Sequence, residues 1–177
     1  MERPFARSYW VVPGKILAGA FPDVWNDDAA ALTLRGLLRV GIRTTLNLTE
    51  EGELNESLPL PDYAEPFAKF AAEIGVEVAC ERRAIHDFDV PPVADLAATL
   101  DVVDAAVTAN KPVYIHCRGG WGRTGTVVGC YLVRHGLASP GEALAGLQRL
   151  RDAQGQTGDS PQTDAQRDMV RTWSPGQ

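Results

Sequence analysis

Two rhythms of apolar residues run along the chain. Short β-branched and aromatic runs read as buried strands, and apolar positions three and four apart read as helical faces. Strand-like runs are Ser8–Val12, Lys15–Gly19, Thr44–Thr49, a run from Val76 through Cys80 reaching toward Ile85, and Val113–Ile115. Pro13-Gly14 between the first two predicts a hairpin. A helix opened by Asp27 or Asp28 runs to about Val40, with Leu32, Leu34, Leu37 and Leu38 as its apolar positions and Gly41 after it. Tyr63–Gly75 carries Phe67, Phe70, Ala71 and Ile74 on one face. Pro91-Pro92 lead into a helix with Leu96, Leu100, Val103 and Val107, ending near Asn110. Thr126–Val133 is apolar enough for a buried helix, closed by Arg134, His135 and Gly136. Ser139, Pro140 and Glu142 form a capping box for a helix with Leu144, Leu147 and Leu150 as its stripe. Ser160-Pro161 starts a last helix through about Trp173. The expectation is an α/β fold, a mostly parallel central sheet of four to five strands flanked by helices.

The densest stretch lies between the Val113 strand and the Thr126 helix: His116-Cys117-Arg118-Gly119-Gly120-Trp121-Gly122-Arg123-Thr124-Gly125. Its glycines force a tight loop from a strand's carboxyl end to a helix's amino end. Backbone N–H groups of such a loop converge, and the helix dipole adds positive potential there. A cysteine in that field ionises below the ordinary thiol range. An arginine at the far lip can bind two oxygens of one phosphate. Thiolate, amide nest and guanidinium make a covalent phosphate-transfer site. Gly120 to Gly125 also matches the G-x-G-x-x-G dinucleotide fingerprint, but the helix from Gly141 to Asp152 stands where a second strand is needed. A Walker A loop is excluded, since no lysine stands beside Thr124. The plain alternative is a glycine-rich turn holding a core cysteine.

His116-Cys117, five residues, then Arg123-Thr124-Gly125 resembles the Cys-x5-Arg signature of the protein tyrosine and dual-specificity phosphatases, in particular their compact single-domain branch. The resemblance implies one phosphatase domain over residues 1–177 and a protein tyrosine phosphatase-like fold. It implies phosphate-monoester hydrolysis through a cysteinyl-phosphate, with Cys117 as nucleophile. The amides from Arg118 through Gly119, Gly120, Trp121 and Gly122 to Arg123, with the Arg123 fork, would hold the phosphate. Thr124 would hydrogen-bond the sulfur and help it leave, and His116 would steady the loop and the thiolate. His86-Asp87-Phe88-Asp89-Val90-Pro91-Pro92 resembles the family's general-acid loop, with Asp87 the expected acid and Asp89 the runner-up, or a local helix cap. Gln166, ahead of Gln162, would orient the hydrolytic water. The mechanism calls for no metal and no cofactor.

Composition narrows the partners. The chain has 177 residues, 45% apolar and 23% charged, with net charge −6. The acidic balance argues against nucleic acid and anionic membrane. Three cysteines without metal-like spacing, and no apolar leader, fit a reducing cytoplasm. Cys130 reads as core, and Cys80 could pair with Cys117 on oxidation. Glu50, Glu51, Glu53 and Glu56 form an acidic loop, read mainly as solvated, that stands near the site if the Thr44 strand runs parallel to the Val113 strand and would disfavour a polyanionic inositol phosphate. The expected substrate is phosphotyrosine in a protein, with phosphoserine or phosphothreonine as a second target, handled by a monomer. The alternatives are a small-molecule or inositol phosphate ester, or a silent phospho-binding module.

Overall fold

The computed structural model describes residues 1–177. The strands are β1 (Ser8–Val12), β2 (Ile16–Gly19), β3 (Thr44–Asn47), β4 (Leu54–Asn55), β5 (Leu58–Pro59), β6 (Ala79–Arg82) and β7 (Val113–His116). The helices are α1 (Asp27–Arg39), α2 (Ala64–Glu73), α3 (Val93–Thr108), α4 (Gly122–Arg134), α5 (Ala143–Asp152) and α6 (Asp164–Thr172). Five strands form one sheet in the order β1-β2-β7-β3-β6. Only the β1–β2 pair is antiparallel; β2–β7, β7–β3 and β3–β6 are parallel. This is the α/β architecture expected, with β7 at its centre.

The pleat sorts side chains to two faces. Tyr9, Val11, Ile16, Ala18, Val113 and Ile115 face a core shared with α3, α4, α5 and α6. Trp10, Leu17 and Tyr114 face the opposite core, under α1 and α2. A central parallel strand is covered on both sides, which is why all of β7 is buried.

Several boundaries differ from expectation. Asn26, not Asp27 or Asp28, caps α1, its Oδ1 accepting from Ala29 N at 2.9 Å. Leu32 is 79% exposed. It stands two residues from Leu34, about 200° around the helix from the buried Leu34, Leu37 and Leu38 stripe. Ile74 is exposed because α2 ends before it. The Val76 run enters the sheet only at Ala79, as an edge strand with exposed residues. Helix α5 begins at Ala143 with no side-chain cap, and Ser139 Oγ instead donates to Glu142 Oε2. The true capping box lies at α6, between Thr163 and Gln166, and Ser160 serves another contact. The hairpin β4–β5 inside the acidic loop is unforeseen.

Candidate active site

Strand β7 ends at His116 and α4 begins at Gly122, so residues 117–121 form a loop at the sheet's carboxyl edge. Ligands collect there in open α/β sheets. Gly120 has φ +80, and a Cβ on it would stand 2.5 Å from Gly19 C, so only glycine lets the loop lie against β2. The Gly120 N–H donates to Cys117 Sγ at 3.2 Å. Cys117 is 3% exposed, yet it lines a cleft of about 880 Å³. Arg118, Gly119, Trp121, Asp87 and Phe88 stand around it there. The sulfur is thus at the base of an open cavity, with a main-chain donor already aimed at it.

Arg123 projects from the first turn of α4 and is 1% exposed. Its Nη1 and Nη2 donate to the two Glu53 oxygens at 2.6 and 2.7 Å, and Nη1 also donates to Ile85 O at 3.1 Å. Nη2 lies 3.0 Å from Asp87 Oδ1. Nε is buried and has no partner. The free N–H of this arginine is therefore Nε, while the terminal fork is largely engaged. Burial favours neutral Glu53, but the Arg123 hydrogen bonds and charge outweigh it and hold the carboxyl below its usual range. Burial also works against charge on Arg123, and Glu53 overcomes it and raises the guanidinium's pKa. Glu53 is the main departure from the expectation of a solvated loop.

Asp87 reaches the same corner. Its Oδ2 accepts from Arg118 Nη2 at 2.7 Å. Arg118 also donates to Leu54 O, tying the β4–β5 hairpin to the loop. Asp89 does not join: its carboxylate accepts from Val90 N, and it caps no helix, since α3 starts after Pro92 without a side-chain cap.

Three supporting assignments need correction. The Thr124 hydroxyl donates to Gly19 O at 3.4 Å, not to the sulfur, because the loop packs against the end of β2. Gln166 is fully buried and uses both ends of its amide on main chain. Its Oε1 accepts from the Gln162 and Thr163 amides, and its Nε2 donates to Asp89 O at 3.1 Å. It anchors the acid loop rather than facing the cleft, and Gln162 is the glutamine that lines it. Cys80 sits level with Tyr114, one strand removed through Thr45. It is therefore about 10 Å across the sheet and about 10 Å along it from Cys117. A disulfide needs Cα atoms within about 7 Å, so the pairing fails. Cys130 is buried, as expected of core.

His116 is buried at the end of β7, its Nε2 2.6 Å from the Tyr63 hydroxyl and its Nδ1 near the Cys117 main chain without a fully formed hydrogen bond. Burial pushes its imidazole down to about 3, the Cys117 contact only partly opposing this. The ring is neutral and structural at neutral pH. Because the unfolded chain takes up the proton first, near 6.5, this group's stability contribution is complete above that pH and is lost as pH falls toward 3. The melting temperature of the wild type is therefore expected to fall more steeply between pH 6.5 and 4 than that of His116→Gln. Parallel curves in thermal scans would refute the assignment.

The model of one protein family, described as the DSP-PTPase phosphatase domain of Swiss Army Knife proteins (PTP-SAK), matches residues 5–172. Among curated proteins, the chain is similar to dual specificity protein phosphatase CDC14B of Mus musculus, 32% identical over 68 residues. That match covers 37% of this chain and 14% of that protein. It is similar to phosphatidylglycerophosphate phosphatase PTPMT2 of Arabidopsis thaliana, 30% identical over 61 residues, 34% of this chain and 27% of that protein. The matches thus span well under half the length of either relative. The crystal structure of Tk-PTP in its active form superposes with a TM-score of 0.68 at 24% identity, covering 94% of this chain and 95% of that one, which shows a shared fold.

Proposed function

We propose, from the premise that this chain belongs to the DSP-PTPase phosphatase domain family, that it hydrolyses phosphate monoesters through a cysteinyl-phosphate, with phosphotyrosine in proteins as the preferred substrate. The observation that carries this reading is the position of Cys117 at the base of a cleft walled by Phe21, Trp25, Phe88 and Trp121, which suits an aryl ester.

The proposed sequence has two steps. Cys117 attacks phosphorus in line, forming S–P as the ester O–P bond breaks. The loop amides and Arg123 Nε hold the equatorial oxygens as charge spreads over them. Asp87 gives its proton to the leaving oxygen, then takes one from the water that cleaves S–P. Inorganic phosphate leaves and the thiolate is restored. Gln162, which lines the cleft, would orient that water.

Asp87→Asn is expected to lower kcat on phosphotyrosine about 10²- to 10⁴-fold, the usual range for general acid catalysis. Asp89→Asn is expected to stay within about twofold, because its carboxylate serves only a local turn. Steady-state kinetics of the two variants decide it, and equal mild losses would discredit Asp87.

A second reading, a lipid-borne phosphate ester, is favoured by the apolar residues at the cleft mouth. Trp25 and Leu32 line it while remaining exposed, and the adjacent hairpin carries exposed Leu54 and Leu58. One similarity, to the plant phosphatidylglycerophosphate phosphatase, points the same way. Asp23 and Glu56 in the lining argue against polyanionic headgroups. A panel of phosphotyrosine and phosphoserine peptides, phosphatidylglycerophosphate in mixed micelles and inositol phosphates tests both. Phosphotyrosine must give the highest kcat/KM, and a hundredfold advantage for the lipid would replace the first reading.

A further inference from the structure

The phosphate loop owes its shape to contacts on its outer side. In a trans peptide the C=O and the following N–H point in opposite directions. Whatever grips a loop carbonyl from outside therefore turns the next amide inward. Four consecutive carbonyls are gripped this way. Arg118 O accepts from Phe21 N at 3.0 Å. Gly119 O accepts from Arg7 Nη2 at 3.2 Å, and the following amide, Gly120 N, is the one found on Cys117 Sγ. Gly120 O accepts from Arg151 Nη1 at 3.2 Å, which directs the Trp121 N–H inward. Trp121 O accepts from Ser160 Oγ at 2.6 Å.

Two of these four grips are arginines that the chemistry above does not use. Arg151 comes from α5 and is 1% exposed. Its guanidinium lies 5.3 Å from the Tyr9 ring, and its Nη2 donates to Thr157 O. Its Nε has no partner and no carboxylate pairs with it, so this buried cation spends its charge on main-chain oxygens and an aromatic face. A cation buried without a counter-charge is costly unless another anion is close. An anion bound in the loop that Arg151 grips would supply that counter-charge. Arg7, on the segment before β1, approaches the neighbouring carbonyl from the exposed side.

We propose that Arg151 and Arg7 are positioning residues, clamping the Gly120 and Gly119 carbonyls so that the Trp121 and Gly120 amides face the phosphate and the Cys117 sulfur. The inference rests on the phosphatase reading above, with Cys117 as nucleophile. Each clamp is a single charge-assisted hydrogen bond, and losing it lets one peptide unit turn.

The test compares the full-length wild type with Arg151→Met, Arg151→Lys and Arg7→Met. Three readouts apply: thermal unfolding, inhibition of arylphosphate hydrolysis by orthovanadate, and the pH profile of Cys117 alkylation by iodoacetamide, followed by peptide mass spectrometry. Orthovanadate affinity is expected to fall about tenfold in either methionine variant, the equivalent of one charge-assisted hydrogen bond. The alkylation midpoint should move to higher pH, kcat should fall more than KM rises, and Arg151→Lys should recover part of each. Arg7 is exposed, so Arg7→Met keeps the test available should Arg151→Met not fold. Unchanged vanadate affinity and alkylation midpoint in Arg7→Met, or in folded Arg151→Met, overturn the proposal, even if melting temperature drops. The alkylation profile needs no substrate, so it separates this failure from a failure of the phosphatase reading.

Discussion

Cys117→Ser is expected to reduce arylphosphate turnover on the order of 10⁵-fold, the scale seen when a covalent nucleophile is removed. The sulfur stands at the base of the cleft with the Gly120 N–H on it, and no other nucleophile is among the cleft's cysteine, serine or lysine side chains. A serine hydroxyl at that position keeps its proton at neutral pH, because no base is set to take it: His116 Nε2 is turned to Tyr63, and burial holds the imidazole's pKa down at about 3, which makes it a weak base. The loop amides and Arg123 are untouched by the substitution. Orthophosphate affinity should therefore stay within a few-fold of the wild type, measured by calorimetry. Turnover within tenfold of the wild type would remove Cys117 from the reaction.

Arg123→Lys is expected to cost about 10³-fold in kcat/KM, the upper range for loss of one preorganised donor in a transition-state site. Charge is conserved, so the loss isolates geometry. Arg123 serves Glu53 with two parallel bonds, Ile85 O with a third and Asp87 with a fourth contact, and still presents Nε. An ammonium has three donors on a single atom and cannot span these positions. Glu53, whose side chain is 8% exposed, loses one of its two bonds at the same time. The kinetic loss should exceed any thermal effect, and a loss below tenfold would show that the guanidinium shape is dispensable.

How much of this was legible depends on how far apart the partners lie. The nucleophile loop is local: a buried strand, three glycines and an apolar helix within some twenty residues specify its shape. Asp87 was readable for a related reason, lying in a short Asp- and Pro-rich loop between two elements. Glu53 was not. Its pairing with Arg123 requires β3 to lie beside β7 with Asn47 opposite His116, which brings the loop after β3 over the site. A residue pair seventy positions apart leaves no periodicity to read. Thr124 and Gln166 were misassigned because residue type says what a side chain can bond, while packing decides what it meets. The hydroxyl met β2 and the amide met the acid loop's main chain. Leu32 misled in another way, since an isolated leucine off the helical stripe belongs to the cleft and not the core.

The acid loop is moored to α6 through oxygens of its own backbone: Phe88 O accepts from Thr163 Oγ1 and Asp89 O from Gln166 Nε2. Moorings of that kind are indifferent to side-chain identity. The surface that the loop shows to an incoming molecule can thus be rewritten at position 88, whose side chain lines the cleft, while its anchorage stays, and with it the placement of Asp87. Selectivity and chemistry become separately adjustable, which makes this segment the natural place to retarget the protein.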